Sequence, residues 1–343
     1  MEKSFRMELA GRSLIVETGK MAKQASGAVL VRYGETVVLV TSTASKEARE
    51  GMDFFPLTVD YEEKMYAVGK MPGGFLRREG RPGNSAILNA RLIDRPIRPL
   101  FDKRCRNDIH VMATVLSVDY DNAPELCGML GASASLGISD IPWDGPIAGV
   151  RVGRIDGQFV INPTQEQLKV STLNITVAGS ETAILMVEGG AQEAPEEDVL
   201  DAIMFGHETI KELVAFQKKI IEEVGKPKRT LIFPEIPEEI KTAIYAYAER
   251  PLKEAIFNPD KLTREAHMEE VRKEAEAHFK EIYPENGSDI AECLNHLTKE
   301  IVRHMISVDK IRPDGRALDE IRPISCEVGL LPRVHGCLLY TSP

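Results

Sequence analysis

The first 190 residues alternate short apolar runs with polar turns, which is the pattern of a β-rich domain. Valine, isoleucine and threonine dominate the runs, and residues of these types favour extended strands. The predicted strands are 13–19, 28–34, 36–44, 109–120, 150–155, 158–162, 173–179 and 183–189. Two of the connections, Gly34-Glu35 and Asp156-Gly157, have the composition of two-residue hairpin turns.

Two helical stretches interrupt these strands. Residues 85–95 form the first, which we expect Pro96 to end, and 124–139 form the second, whose many small side chains permit close packing. Strands in this order with two interspersed helices predict an α+β fold, with a largely antiparallel sheet and helices on one face.

From about residue 196 the apolar positions recur at helical spacing. A long helix is predicted over 196–224, and Gly225 and Pro227 end it. Three further amphipathic helices, at 237–256, 263–282 and 288–307, predict a small all-helical domain at about 235–308. After them, proline, aspartate and glycine mark a loop that leads to a new strand.

The composition is that of an ordinary folded chain, with 43% hydrophobic and 28% charged residues in 343. It excludes collagen-like, disordered and disulfide-scaffold classes. Five scattered cysteines without a CxxC spacing argue against a zinc site, so no metal ligand is predicted. No apolar run reaches the roughly 18 residues of a membrane span, and the N-terminus lacks the apolar stretch of a signal peptide. We therefore expect no membrane association and a cytoplasmic location.

The net charge of −10 conceals one strongly positive segment. Between Arg77 and Arg106, eight arginines and one lysine meet three carboxylates, a net charge of +6. The arginines are 77, 78, 81, 91, 95, 98, 104 and 106. A concentrated positive segment in an acidic chain indicates an anion-binding site.

The positive segment begins in a glycine-rich loop that follows Gly73-Gly74. Phe75 offers an aromatic face, and Arg77, Arg78 and Arg81 offer planar guanidinium groups. An aromatic ring stacks on bases and guanidinium groups bind phosphates, so the combination is typical of a single-stranded nucleic-acid site. A solvated loop with surface arginines is the alternative that these residue types leave open.

Longer stretches of the sequence closely resemble the bacterial polynucleotide phosphorylase family over essentially the whole chain. The matching stretches are DYEEKMYAVGKMPGGFLRREGRP, ARLIDRPIRPLF, GASASLGISDIPWDGPIAGVRVG, INPTQEQL, VAGSETAILMVEGGA and IRPDGR. The resemblance implies an RNase PH-like core, a βαβ sandwich also known from a ribosomal protein domain, followed by an all-helical linker domain. It implies Mg²⁺-dependent, processive 3′-to-5′ phosphorolysis of single-stranded RNA, with inorganic phosphate as co-substrate. Nucleoside diphosphates are the products in mRNA degradation.

Members of this family assemble as homotrimeric rings and join the RNA-degradation machinery, so the resemblance implies both kinds of partner. The family's aromatic-arginine constriction loop matches Phe75, Leu76, Arg77 and Arg78, and Arg81 follows it. Leu76 stands where the family has a second aromatic residue, so one stacking face is missing. These residues are the predicted RNA-binding set.

The resemblance also indicates that this chain holds no catalytic residues. The family's catalytic carboxylates lie in the second core, and alignment through Val177-Ala178-Gly179 places Leu168 and Asn174 at the two aspartate positions. Neither residue supplies the charged oxygen ligands that Mg²⁺ prefers. The family's phosphate loop falls on 123–125, where Glu125 would repel phosphate. We expect the first core to guide RNA without cutting it.

A second candidate anion site follows in the helix. Arg91 and Arg95 are four residues apart on one helix face, where like charges repel unless an anion or Asp94 compensates them. Arg98 extends the cluster. These three arginines could hold phosphate, a small regulatory anion or only neighbouring carboxylates.

The predicted domains are a first core at 1–230, the helical linker at 235–308 and the start of a truncated second core at 311–343. Within the first core, the subdomains are about 1–145 and 146–230. The family pattern fails after Tyr340-Thr341, which favours a truncated sequence over a natural terminus. Two alternatives remain at this stage: a non-catalytic RNA-binding and ring-assembly module, and a free-standing phosphorolytic ribonuclease.

Overall fold

The structure is a computed structural model that describes residues 2–48, 54–75, 77–231, 236–330 and 332–333. The chain divides into two compact units, Met1–Phe233 and Pro234–Pro343. Each has its own apolar core. Leu76 and the predicted strand at 336–341 lie outside the described residues.

The first unit contains a six-stranded sheet in the order β1-β2-β3-β4-β6-β5. Its strands are β1 (Lys3–Leu9), β2 (Arg12–Thr18), β3 (Gly27–Tyr33), β4 (Thr36–Ala48), β5 (Leu57–Glu63) and β6 (Asn107–Ser117). Each neighbouring pair is antiparallel except β5 and β6, which are parallel with Leu57 opposite Ile109. The predicted largely antiparallel sheet is therefore correct for four of its five strand pairs.

A second, four-stranded antiparallel sheet has the order β10-β9-β7-β8. Its strands are β7 (Ala148–Ile155), β8 (Gln158–Ile161), β9 (Leu173–Gly179) and β10 (Ile184–Ala191). The hairpin between β7 and β8 turns at Asp156-Gly157, where both residues have positive φ angles of 49° and 81°. This conformation is the one that the Asp-Gly pair predicts.

Helices connect and separate the two sheets. The helices of this unit are α1 (Asn84–Ile97), α2 (Pro124–Ile138), the short α3 (Gln165–Val170) and α4 (Glu196–Val224). Every residue of α2 from Leu126 onward is buried, because the helix packs against strands of both sheets. Its glycine, alanine and serine residues let the backbones approach closely. The observed class is α+β, as the pattern predicts, but the prediction of a single sheet with helices on one face is wrong, because the strands form two sheets and α2 packs against both.

The expected end of α1 at Pro96 is wrong, because the helix continues through Pro96 to Ile97. A proline costs one backbone hydrogen bond and some steric strain. Here its ring is buried in the core, and helical bonding resumes beyond it, with Arg98 N–H donating to the Asp94 carbonyl. Tertiary packing therefore outweighs the local preference.

The second unit is a bundle of three helices, α5 (Glu238–Ile256), α6 (Lys261–Ile282) and α7 (Gly287–Ser307). Its core is formed by buried aliphatic residues of α5 and α7 and by Phe279 of α6. Residues 311–330 form turns and bends, with no strand among the described residues.

Lys228, which follows α4, binds the C-terminal end of α2. Lys228 Nζ donates hydrogen bonds to the carbonyl oxygens of Leu136 (2.8 Å), Gly137 (3.0 Å) and Ser139 (2.8 Å). The last carbonyls of a helix lack partners within it and form the negative end of its dipole. The ammonium group therefore caps α2.

The free energy of unfolding is expected to rise with pH through Lys228. Partial burial lowers the pKa of Lys228 to about 8, against the ordinary value of 10.5. Between these values the unfolded chain binds more protons than the folded chain, so stability increases with pH. Urea unfolding, followed by the fluorescence of Trp143, the chain's one tryptophan, measures this unit directly. The advantage of the wild type over Lys228→Met should grow from pH 8 to pH 10, and a constant difference would contradict the prediction.

Candidate nucleic-acid interface

The predicted RNA-binding loop lies on the surface between a 3₁₀ turn at Met65–Val68 and the start of α1. The Phe75 side chain is fully exposed and packs against no core. Arg77 N–H donates to the Gly74 carbonyl at 2.9 Å, which closes a tight turn, and Arg77 has a φ of 48°. The turn presents an aromatic face and a guanidinium group within three residues of each other.

Three arginines of this loop have no counter-ion among the residues that the structure describes. Arg77, Arg78 and Arg81 are exposed, and none of their side chains has a hydrogen bond or ion pair with any other described residue. Leu76, the fourth member of the family loop, lies outside the described residues. The guanidinium groups therefore stay available to an external anion.

Glu79 stands among these arginines but bonds elsewhere. Its Oε1 accepts a hydrogen bond from Met65 N–H at 2.6 Å, and its Oε2 lies 3.4 Å from Lys64 Nζ. The Met65 hydrogen bond, with the Lys64 ammonium, lowers the pKa of Glu79. The sequence analysis assigns no role to Glu79. The available signal was its position as the single carboxylate between Arg78 and Arg81.

The three arginines of the second cluster have different surroundings. Arg98 binds both carboxylate oxygens of Asp94, at 2.9 and 2.7 Å, and donates to the Leu57 carbonyl at 3.0 Å. Arg95 pairs with Glu188 of β10. Arg91 is exposed and has no partner among the described residues. Carboxylates thus pair with Arg95 and Arg98, and of these three arginines only Arg91 lacks a counter-ion within the described part of the chain.

Arg91 lines a groove of about 330 Å³ between α1 and the edge strand β5. The apolar wall of the groove includes Val59, Ala86 and Ile87, and Asp94 and Arg98 lie along the same groove. Residues 57–61 of the edge strand β5 form one side of the groove.

Single substitutions should separate the roles of Arg91 and Arg98. Arg91→Ala is expected to weaken RNA binding about threefold without changing stability, because it removes an unpaired cation. Arg98→Ala is expected to cost about 1 kcal/mol of stability with little effect on binding, since the Arg98–Asp94 pair is partly exposed. Urea unfolding and fluorescence anisotropy with a labelled oligoadenylate measure both quantities. Equal effects of the two variants on affinity would contradict the assignment.

The positions aligned with the catalytic aspartates lie on different elements. Leu168 is half-buried on α3, and Asn174 is exposed on β9, opposite Gly190 of β10. Neither side chain is a carboxylate. Among the described residues, no group of three or more His, Cys, Asp or Glu side chains could hold a metal ion. At the two aligned positions, the residues present offer no carboxylate to a magnesium ion.

The position of the family phosphate loop is occupied by an internal ion pair. Glu125, at the start of α2, accepts from Arg151 Nη2 at 2.6 Å, and both side chains are mostly buried. The Arg151 guanidinium is thus already bound to a carboxylate at this helix start. The prediction that Glu125 opposes phosphate binding there remains a prediction.

Three family models match successive parts of the chain. The 3′ exoribonuclease family models match residues 10–142 for domain 1 and 145–209 for domain 2. The model of the polyribonucleotide nucleotidyltransferase RNA binding domain matches residues 239–317.

Curated relatives match nearly the full chain. The polyribonucleotide nucleotidyltransferase of Heliobacterium modesticaldum is 58% identical over 337 residues, which are 98% of this chain and 48% of that protein. That of Syntrophomonas wolfei is 57% identical over 339 residues, covering 99% of this chain and 48% of the relative. The chain belongs to the polyribonucleotide nucleotidyltransferase family. It spans about half the length of the curated relatives it matches.

Membership of the polyribonucleotide nucleotidyltransferase family confirms the resemblance and the RNase PH-like α+β fold with a helical domain after it. A crystal structure of rice Rrp46 covers 64% of this chain and 94% of its own, at a TM-score of 0.48 and 14% identity. No helix among the described residues is long and apolar enough to cross a membrane.

Proposed function

We propose that this chain is the RNA-guiding part of a polynucleotide phosphorylase that degrades single-stranded RNA from its 3′ end. The observation that carries the proposal is the surface loop with an exposed Phe75 and three arginines that have no counter-ion within the described part of the chain. A base can stack on the Phe75 ring while phosphates bind the adjacent guanidinium groups. Neither contact requires a particular base. Such sequence-independent binding is what an enzyme that degrades RNA processively needs.

The charge distribution supports RNA contacts on the first unit. The positive charge of the first unit is concentrated between Arg77 and Arg106, where the net charge is +6, although residues 1–235 and residues 236–310 each have a net charge of −5. RNA affinity depends on neutralised phosphates. The helical unit, which matches a model described as RNA binding, is proposed to be the linker domain.

The chemistry itself is proposed to lie in a second core. Leu168 and Asn174 give the first core no carboxylate for Mg²⁺ at the aligned positions, and the relatives are about twice as long as this chain. In the full-length enzyme, Mg²⁺ and inorganic phosphate would act there and release nucleoside diphosphates. The proposed division is a first core at 1–230, a linker at 235–308 and the beginning of the second core from 311. A cytoplasmic homotrimer that joins the RNA-degradation machinery completes the proposal.

A second candidate function is a non-catalytic module for RNA binding and ring assembly. The same missing carboxylates favour it, because a first core of this composition holds RNA without cutting it. Only the full-length gene product separates the two candidates.

The experiment that tests the proposal incubates the purified chain with poly(A), inorganic phosphate and Mg²⁺. We expect binding of oligoadenylate and no release of adenosine diphosphate, while a full-length relative under the same conditions releases it. Diphosphate release by this chain alone would refute the assignment of catalysis to the second core. Failure to bind oligoadenylate at low salt would refute the RNA-guiding role.

A further inference from the structure

Glu79 connects the arginine loop to the sheet through a short series of bonds. The Ala67 carbonyl accepts from Val118 N–H at 3.1 Å, just after β6, which fixes the 3₁₀ turn to the first sheet. Ala67 is buried. Met65, the first residue of that turn, donates its N–H to Glu79 Oε1 at 2.6 Å. The loop is thus tied to the core two residues after Arg77 and two before Arg81.

The same bonds keep the Glu79 carboxylate away from the arginines. A glutamate between three guanidinium groups would normally pair with one of them. Here Met65 N–H occupies one oxygen and Lys64 Nζ lies beside the other, and the Lys64 ammonium also pairs with Glu62. No described ion pair joins Glu79 to Arg77, Arg78 or Arg81. The bonds of Glu79 therefore fix the loop and leave its cations free.

We propose that Glu79 is a positioning residue, whose bonds to Met65 and Lys64 hold Arg77, Arg78 and Arg81 in the arrangement that grips an RNA backbone. The inference rests on the proposed RNA-guiding function of the loop. A preorganised loop binds more tightly because less conformational entropy is lost on binding.

If the charge of Glu79 were its only effect, removing it would change the RNA affinity in the opposite direction. Glu79 is a negative charge beside an anion-binding surface, so its removal would strengthen RNA binding if it had no positioning role. We expect Glu79→Ala to weaken binding about fivefold in spite of the added positive charge. The sign of the change therefore separates the two roles.

Two further variants make the test specific. Glu79→Gln removes the charge but keeps an oxygen that can accept from Met65 N–H, so its affinity should match or exceed that of the wild type. Asp102→Ala removes a carboxylate of the same positive segment that pairs with Arg104 and not with the loop. Its affinity should be unchanged or slightly higher.

The measurements are anisotropy titrations with a labelled oligoadenylate, together with rates of trypsin cleavage after Arg77 and Arg78. Glu79→Ala should be cleaved faster than the wild type and Glu79→Gln should not, while all variants keep the wild-type urea midpoint. If Glu79→Ala binds as well as or better than the wild type, the positioning role is refuted. If Arg77→Ala/Arg78→Ala also leaves affinity unchanged, the RNA-guiding proposal itself fails, so the two failures are distinguishable.

Discussion

Arg77→Ala/Arg78→Ala is expected to weaken single-stranded RNA binding by about tenfold to a hundredfold at low salt. Both guanidinium groups are exposed and have no partner among the described residues, so each can neutralise a phosphate. For single strands, each neutralised phosphate contributes about 0.7 to the slope of log affinity against log salt concentration. The double variant should therefore lower the magnitude of that slope by about 1.4.

The matched control removes two exposed cations from the helical unit. Lys261 and Lys273 form only long ion pairs, of 3.8 and 3.4 Å, with glutamates of the same helix. Lys261→Ala/Lys273→Ala should leave the affinity and the salt slope close to those of the wild type. A loss of affinity as large in this control as in the loop variant would show that net charge alone matters, and would remove the loop from the mechanism.

Gly27→Ala is expected to destabilise the first unit by about 3 kcal/mol. Gly27 is the first residue of β3, and a Cβ atom there would lie 2.0 Å from the Ser135 carbonyl oxygen in α2 and 2.9 Å from Ser42 Oγ. A backbone oxygen cannot rotate away as a side chain can, so the helix and the sheet would have to separate. The clash would therefore disrupt the packing of α2 against the first sheet.

Gly190→Ala is the matched control, because Gly190 also lies in a strand and no heavy atom stands within 4 Å of the point that an added Cβ atom would occupy. Its stability should change by no more than about 1 kcal/mol, in either direction. Trp143, which is buried in the first unit and donates to the Ile97 carbonyl at 3.0 Å, reports unfolding of that unit. Equal urea midpoints for the two variants would contradict the packing argument.

The elements predicted best are those whose signals are local. The turn at Asp156-Gly157 and the helix over 124–138 follow from a few consecutive residues. The strand Lys3–Leu9 is missing from the predicted strands, although its apolar residues alternate with polar ones. The edge strand Leu57–Glu63 is missing too, because its partner Asn107–Ser117 lies far along the chain and pairs with it in parallel.

The candidate site was only partly predictable for the same reason. Residue types predict Phe75 and the arginines as the RNA-binding set, and the aligned Leu168 and Asn174 predict a core without catalytic carboxylates. Both stay predictions. The sequence could not divide the arginines into free and neutralised groups. That division depends on ion pairs such as Arg95 with Glu188, whose partners lie 93 residues apart.

The sequence by itself determined the α+β class, the helical domain and the presence of a positive segment in an acidic chain, because apolar periodicity, turn chemistry and charge act over a few neighbouring residues. Only the tertiary structure decided which cations are available, since that depends on carboxylates brought near through space. Glu188, 93 residues further along the chain, pairs with Arg95, while Met65 and Lys64 hold Glu79 away from the loop arginines. Within the described part of the chain, the positive segment thus becomes a small set of guanidinium groups without counter-ions, three of which lie in the loop that carries the exposed Phe75 ring.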